Sequence, residues 1–129
     1  MTVTTPKPTG FRRLRSAFRH SSNGLIAVWR TEEAFRIEVS LLALSLPVSA
    51  WLASTLAQAL LLVGSLLALV VVEILNTAIE AVVDRIGPER HPLSGLAKDL
   101  GSAAVLLTAL FPAAVWIAVG LARLGVLSL

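Results

Sequence analysis

Long apolar segments alternate with short polar segments along this chain, a pattern that predicts a bundle of membrane-spanning α-helices. Residues 39–72 carry no charge, and neither do residues 100–122. As one helix, the first of these runs would be about 50 Å long, which exceeds the ~30 Å apolar thickness of a bilayer. We therefore predict a reversal near residues 54–57 and three membrane helices in all. The predicted fold class is an all-α membrane protein.

The predicted elements follow one another in a single membrane domain over residues 1–129. We expect a disordered tail at residues 1–9, an interfacial helix at residues 10–30, and membrane helices at residues 33–53, 56–86 and 95–126. Thr31 is expected to cap the first membrane helix. The Ser, Asn and Gly residues at 21–24 predict a break in the interfacial helix, and two prolines predict a loop at residues 87–94.

The interfacial segment is basic as well as amphipathic. Phe11, Leu14 and Phe18 recur at helical spacing, with arginines around them. This pattern is typical of a helix that lies in the plane of the membrane surface. Two interpretations stay open from the residues alone: a membrane anchor, or an anchor that also contacts a phosphate group.

Composition and charge narrow the class of protein. The chain is 56% hydrophobic and 15% charged, and its lack of cysteine excludes disulfides and thiolate metal sites. His20 and His91 are solitary, so zinc is not expected. The net charge of +3 fits an anionic membrane surface or a phosphate ligand. A nucleic-acid partner is a weaker interpretation, because the sequence contains no recognisable base-reading module. The uncharged turn near residues 54–57 is expected outside, which places the N-terminus in the cytoplasm.

A polar stripe runs along the second predicted membrane helix. Glu73, Asn76, Glu80 and Asp84 are spaced by three, four and four residues, which puts them on one face of an α-helix. An ionised side chain that faces lipid costs about 2.5–3.5 kcal/mol, so the stripe must face protein, water or a cation. Helix rise counted from residue 56 places residue 76 at the inner membrane boundary, with Glu73 about one turn inside it.

Acids and bases gather at this predicted membrane surface. Carboxylates can bind Mg²⁺, basic side chains can neutralise phosphate oxygens, and a further carboxylate can accept the proton of a hydroxyl nucleophile. Structural interpretations also stay open: Asn76 as a helix–helix contact, Glu32 as a solvated capping charge, and Glu80 and Asp84 as solvated charges beyond the membrane boundary. The set comprises Arg13, Glu32, Glu73, Asn76, Glu80, Lys98 and Asp99.

The same stripe carries a family signature. Residues 73–84, EILNTAIEAVVD, resemble the signature of the prokaryotic-type diacylglycerol kinases. The resemblance continues through RIG at 85–87, LSG at 93–95, AKD at 97–99 and GSAAV at 101–105, and upstream through GF at 10–11 and EEAFR at 32–36. It implies a small homotrimeric enzyme of the bacterial inner (cytoplasmic) membrane, with each active site shared between neighbouring subunits.

The resemblance also implies a role for each matching residue. Glu73 is implied as the catalytic base for the lipid hydroxyl, and Glu32 and Glu80 as ligands of a Mg²⁺ cofactor. Nucleotide contacts are implied at Arg13, His20, Glu32, Asn76, Glu80, Glu89, Arg90, His91, Lys98 and Asp99. Substrate contacts are implied at Glu73, Ala34, Phe35, Arg36, Trp51 and Ser102.

The expected activity is ATP-dependent phosphorylation of sn-1,2-diacylglycerol to phosphatidic acid. One alternative is an undecaprenol kinase of the same family. Another is a non-enzymatic oligomeric channel or membrane scaffold with an acidic stripe along its pore. A through-pore needs polar groups along its whole length, and residues 39–72 supply almost none, which argues against the channel.

Overall fold

The computed structural model describes residues 10–127, and within that range it contains four α-helices and no strand. They are α1 (Phe11–Thr31), α2 (Glu33–Leu52), α3 (Leu56–Ile86) and α4 (Pro92–Arg123). The tail predicted at residues 1–9 lies outside the described residues. The chain divides into two compact units, the first containing α1 and the second containing α2, α3 and α4.

The second unit holds the three predicted membrane helices. Each of α2, α3 and α4 is long and apolar enough to cross a membrane, which confirms this part of the predicted fold. α3 packs against both of the other helices, whereas α2 and α4 touch each other little. With 31 residues, α3 is about 46 Å long and therefore extends past the ~30 Å apolar thickness of a bilayer. Its extra turns carry the charged end of the polar stripe.

The reversal between α2 and α3 is fixed by reciprocal hydrogen bonds at the start of α3. The Thr55 hydroxyl accepts a hydrogen bond from the Gln58 backbone N–H at 3.2 Å, and the Gln58 side-chain oxygen accepts one from the Ser54 N–H at 2.8 Å. This exchange resembles a capping box, which satisfies backbone donors that the first turn of a helix leaves without partners. The predicted reversal near residues 54–57 is confirmed.

Small polar residues let the helices of the second unit approach closely. Ser45 and Ser49 of α2 and Ser65 of α3 are buried, and each hydroxyl donates to a carbonyl oxygen three residues earlier in its own helix. Such local bonds satisfy the hydroxyl while its small volume permits close packing. Trp116 of α4 donates its indole N–H to the Leu62 carbonyl oxygen of α3 at 3.2 Å, which fixes the register between these helices.

Two predictions about α1 are wrong. The helix continues through residues 21–24, because the Ser22 hydroxyl donates to the Phe18 carbonyl oxygen at 2.9 Å and is satisfied within the helix. Thr31 does not cap α2; it is the last residue of α1, and its hydroxyl donates to the Ala27 carbonyl oxygen at 3.3 Å. The backbone becomes extended at Glu32, with φ −105° and ψ 119°, and α2 begins at Glu33.

The predicted start of the third membrane helix at residue 95 is also wrong. α4 begins at Pro92, so the loop is shorter than its two prolines indicated. Proline suits the first position of a helix, where its fixed φ is correct and no N–H is needed. His91 caps the helix, with its Nδ1 atom accepting a hydrogen bond from the Leu93 N–H at 3.2 Å. At the other end α4 stops at Arg123 rather than at residue 126.

Candidate active site

The polar stripe of α3 becomes steadily more exposed along the helix. Glu73 and Asn76 are buried, with 6% and 9% of their surfaces exposed. Glu80, one turn further on, is half-buried, and the side chain of Asp84 is 66% exposed. The predicted alignment of these four residues on one continuous helix is therefore observed. The stripe connects an apolar interior to water within about 17 Å, the rise of eleven helical residues.

Asn76 and Glu80 are joined within the stripe. The Asn76 amide group donates from Nδ2 to the Glu80 Oε1 atom at 3.2 Å. The Asn76 Oδ1 atom is buried and has no hydrogen-bond partner among the described residues. A buried acceptor without a donor is costly, and such atoms are frequent where a ligand or ion completes the site. The Asn76 Nδ2 atom thus holds Glu80, while the Oδ1 atom can still accept a hydrogen bond or bind an ion.

Gly101 of α4 lies directly against the Asn76 side chain. A β-carbon at residue 101 would overlap the Asn76 Oδ1 atom, so glycine is the residue that this contact requires. Among the small residues at 101–104, Gly101 is buried and the other three are exposed. Ser102, implied as a lipid contact, is therefore on the surface of this unit.

An ion pair closes the exposed end of the stripe. The Lys98 Nζ atom of α4 lies 2.6 Å from the Asp84 Oδ1 atom of α3, and both side chains are partly exposed. Glu80 lies close enough to Lys98 to add to the attraction for its positive charge. Lys98 was implied as a nucleotide contact, whereas its pairing with Asp84 was not predicted. The neighbouring Asp99 is exposed.

A cleft separates the end of α3 from the beginning of α4. Its volume is about 650 Å³, and Glu89 and His91 line it together with Val83 and Ala97, the residues that directly precede Asp84 and Lys98. Ligand pockets commonly have volumes of ~300–1,000 Å³. Arg90, predicted with them as a nucleotide contact, is exposed in the same loop.

Glu38 of α2 is a buried acid that the sequence reasoning missed. It is 9% exposed, its Oε2 atom has no hydrogen-bond partner among the described residues, and it lies close enough to Glu73 for the two acids to repel each other. A signal was present, because Glu38 precedes Ser45 and Ser49 by seven and eleven residues and thus shares their buried helix face. Glu32 and Glu33, which precede it, instead favour interpreting this stretch as the solvated start of a helix.

The remaining predicted site residues differ in exposure. In the first unit, Arg13 and His20 are exposed on α1, and Glu32 is half-buried after its last turn. In α2, Phe35 is buried and Arg36 half-buried, whereas Ala34 and Trp51 are exposed. Within residues 10–127, no group of three or more acidic or histidine side chains is arranged to hold a metal ion.

Comparison with known proteins decides the family. The profile of the family described as prokaryotic diacylglycerol kinase matches residues 19–120. The chain belongs to the prokaryotic diacylglycerol kinase family. The diacylglycerol kinase of Escherichia coli K12 is 47% identical over 108 residues, which cover 84% of this chain and 88% of that protein. The diacylglycerol kinase of Haemophilus influenzae is 41% identical over 110 residues, covering 85% and 93%. That of Helicobacter pylori 26695 is 40% identical over 111 residues, covering 86% and 87%.

Membership of the prokaryotic diacylglycerol kinase family confirms the resemblance seen in residues 73–84. It makes the chain a kinase, and its three apolar helices are those of a multi-pass membrane protein. The channel or scaffold alternative is not favoured, and neither is the undecaprenol kinase.

Proposed function

We propose that this kinase transfers the γ-phosphoryl group of ATP to the free hydroxyl of sn-1,2-diacylglycerol and so forms phosphatidic acid. The observation that carries the proposal is the burial gradient from Glu73 to Asp84 on α3. A diglyceride presents its hydroxyl at the boundary between apolar and polar membrane layers, while ATP is in water. A stripe on one helix that runs from a buried acid to an exposed acid suits two substrates of such different polarity.

Glu73 is proposed as the catalytic base. Its carboxylate is the most buried acid of the stripe, and the helix rise counted from Leu56 supports a depth about one turn inside the membrane boundary. A carboxylate at that depth can accept the hydroxyl proton of a lipid as its oxygen attacks phosphorus. Phosphoryl transfer depends mainly on positioning and charge neutralisation, so one base with well-placed cations is sufficient.

Glu80 and Glu32 are proposed to hold Mg²⁺ with the nucleotide. The donors fit this ion, since Mg²⁺ prefers oxygen ligands and is usually held by one or two carboxylates together with substrate phosphates. The hydrogen bond from Asn76 leaves Glu80 oriented and one of its oxygens open for such a role. When bound, the ion would neutralise charge on the transferring phosphate. Replacing Glu80 or Glu32 with Ala should raise the magnesium concentration needed for half-maximal activity, and an unchanged requirement would contradict the assignment.

The nucleotide is proposed to lie at the cytoplasmic ends of α3 and α4. The cleft lined by Glu89 and His91 and the partly exposed Lys98 support this position. Arg13, His20, Arg90 and Asp99 are proposed as further nucleotide contacts. The resemblance supports a homotrimer with shared sites in the bacterial inner membrane, and the positive-inside rule supports a cytoplasmic N-terminus.

Lipid contacts are proposed for the beginning of α2 and for the surfaces on either side of Glu73. Arg36 is half-buried and can reach a polar headgroup, whereas Trp51 is 71% exposed near the opposite end of α2 and suits the other membrane interface. Ala34, Phe35 and Ser102 are proposed as further contacts of the lipid substrate.

The identity of the acceptor is tested by a direct comparison of lipid alcohols. Purified protein would be given γ-labelled ATP with either sn-1,2-diacylglycerol or undecaprenol in the same mixed micelles, and labelled lipid would be extracted and counted. We expect phosphatidic acid with the diglyceride and little product with the polyprenol. Preferential labelling of undecaprenol would contradict the proposed substrate, and hydrolysis of ATP without any labelled lipid would contradict lipid phosphorylation itself.

A further inference from the structure

Three arginines of α1 form a stripe that the proposed reaction does not use. Arg12, Arg15 and Arg19 are exposed and spaced by three and four residues, so they lie on one face of the helix. We call them the arginine stripe. Together with Ser16, Phe18 and Ser22 they line one shallow groove. Because α1 is continuous through residues 21–24, Ser22 lies in the turn that follows Arg19 on this groove.

The arginine stripe is distinct from the α1 residues proposed for the nucleotide. Each helical residue turns the chain by about 100°, so Arg13 and His20, seven residues apart, share a face about 110° away from the centre of the arginine stripe. All five side chains are exposed. A ligand on the face that Arg13 and His20 share would leave the arginine stripe available for another partner.

Nothing within α1 neutralises this charge. Its 21 residues contain five arginines and no aspartate or glutamate. Guanidinium groups that are regularly spaced and close to serine hydroxyls suit phosphate oxygens, which accept several charge-assisted hydrogen bonds at once. The arginine stripe is therefore suited to bind anions that carry phosphate groups.

The adjacent face of α1 indicates where that phosphate comes from. Phe11, Leu14 and Phe18 lie beside the arginine stripe and are 82%, 67% and 76% exposed. Three large apolar side chains on one face favour burial in the acyl layer, with the neighbouring cations at headgroup level. A free phosphate ion would satisfy the arginines and leave these side chains in water, whereas a lipid surface satisfies both.

We propose that the arginine stripe binds the phosphate groups of anionic phospholipids and enriches these lipids around the enzyme. Juxtamembrane arginines attract anionic lipids over zwitterionic ones, and the attraction weakens as salt shortens the range of the charges. Phosphatidic acid is itself an anionic phospholipid, so the reaction product would compete with other anionic lipids for the arginine stripe. This competition rests on the proposed function, whereas the binding of anionic lipids to the stripe does not.

Energy transfer to labelled lipids tests the proposal without any turnover. The chain has no cysteine, so Asn23→Cys, one turn beyond Arg19, provides a single site for a donor fluorophore. The protein would be reconstituted in phosphatidylcholine bilayers that contain a trace of acceptor-labelled phosphatidylglycerol or, separately, acceptor-labelled phosphatidylcholine. We expect transfer to the anionic lipid to exceed transfer to the zwitterionic lipid by about twofold or more, and the ratio to fall with added salt.

Variants of the arginine stripe separate this proposal from a general effect of positive charge. Arg12→Gln, Arg15→Gln and Arg19→Gln together should reduce the ratio to about one, while three Arg→Lys changes should retain most of it, since lysine keeps the charge. Arg123→Gln removes one charge, as Arg15→Gln alone does, so it is the charge-matched control for that single variant and should leave the ratio unchanged. If the triple Gln variant does not fold, Arg15→Gln alone should lower the ratio partially. An unaltered ratio in the Gln variants, or its loss on adding inorganic phosphate at constant ionic strength, would overturn the proposal.

Discussion

The Cα atom of Gly101 lies so close to the side-chain amide of Asn76 that no β-carbon fits between α4 and α3 at this point. Asn76 in turn donates a hydrogen bond to Glu80 at 3.2 Å. The position of a proposed magnesium ligand thus depends on a glycine in a neighbouring helix that itself carries no functional group.

Gly101→Ala should therefore disturb the site through Asn76. The added methyl group has to displace the Asn76 amide, and small displacements of a positioned group can cost about 100-fold in rate. We expect turnover to fall by about tenfold or more. Gly120→Ala, in the same helix with open space around it, is the control and should leave turnover near that of the wild type. Equal activity of the two variants would contradict the positioning role.

The ion pair between Lys98 and Asp84 gives a prediction that separates structure from binding. A solvent-exposed ion pair is screened by water and contributes little to stability, so neither Lys98→Met nor Asp84→Asn should greatly change the unfolding temperature. Loss of a charged phosphate contact should raise the KM for ATP by about tenfold or more in Lys98→Met. In Asp84→Asn the KM should change little, because Lys98 keeps its charge. Equal KM changes in both variants would show that the pair acts only as a structural link.

Replacing Glu38 with an apolar residue is expected to stabilise the protein rather than destabilise it. Its buried Oε2 atom lacks a partner among the described residues, and burying an unsatisfied polar group costs about 1–3 kcal/mol. Glu38→Leu should therefore raise the resistance of the protein to thermal unfolding and lower its turnover, since an acid beside Glu73 is lost. Glu33→Leu on the exposed start of α2 is the control and should do neither. A lower unfolding temperature for Glu38→Leu than for the control would contradict this reasoning.

The membrane helices could be predicted because their signal is contained in single segments. The uncharged run at 39–72 is too long for one crossing, which required a reversal, and Thr55 with Gln58 supplies it. The stripe on α3 was equally local, since four positions on one helix need no knowledge of the neighbours. Both features follow from the period and rise of the α-helix.

The features that could not be predicted depend on contacts between segments or on local bonds that offset weak propensities. Burial of Glu38 requires α2 to pack on α3, and the pairing of Lys98 with Asp84 requires α4 to return beside α3. Ser22 was expected to break α1, but its hydroxyl bonds within the helix. Pro92 falls in the loop predicted at residues 87–94, but proline also favours the first position of a helix, and α4 begins there.

Orientation in the membrane is tested with single cysteines, because the chain has none of its own. Ser54→Cys in the α2–α3 turn and Ser94→Cys at the start of α4 are separated by the whole length of α3. We expect an impermeant thiol reagent to label position 54 in intact spheroplasts and position 94 only in inverted vesicles. The reverse pattern would place the nucleotide cleft outside the cell, where ATP is absent, and would contradict the proposed site.

The central claim is that Glu73 is the base for the lipid hydroxyl, and Glu73→Gln tests it most directly. The amide keeps the shape of the side chain but cannot accept the proton, so turnover of diacylglycerol should fall by about 10²–10⁴-fold. Binding of the magnesium–nucleotide complex, measured by calorimetry on the same purified protein, should remain close to that of the wild type. Near-normal turnover in Glu73→Gln would contradict the claim.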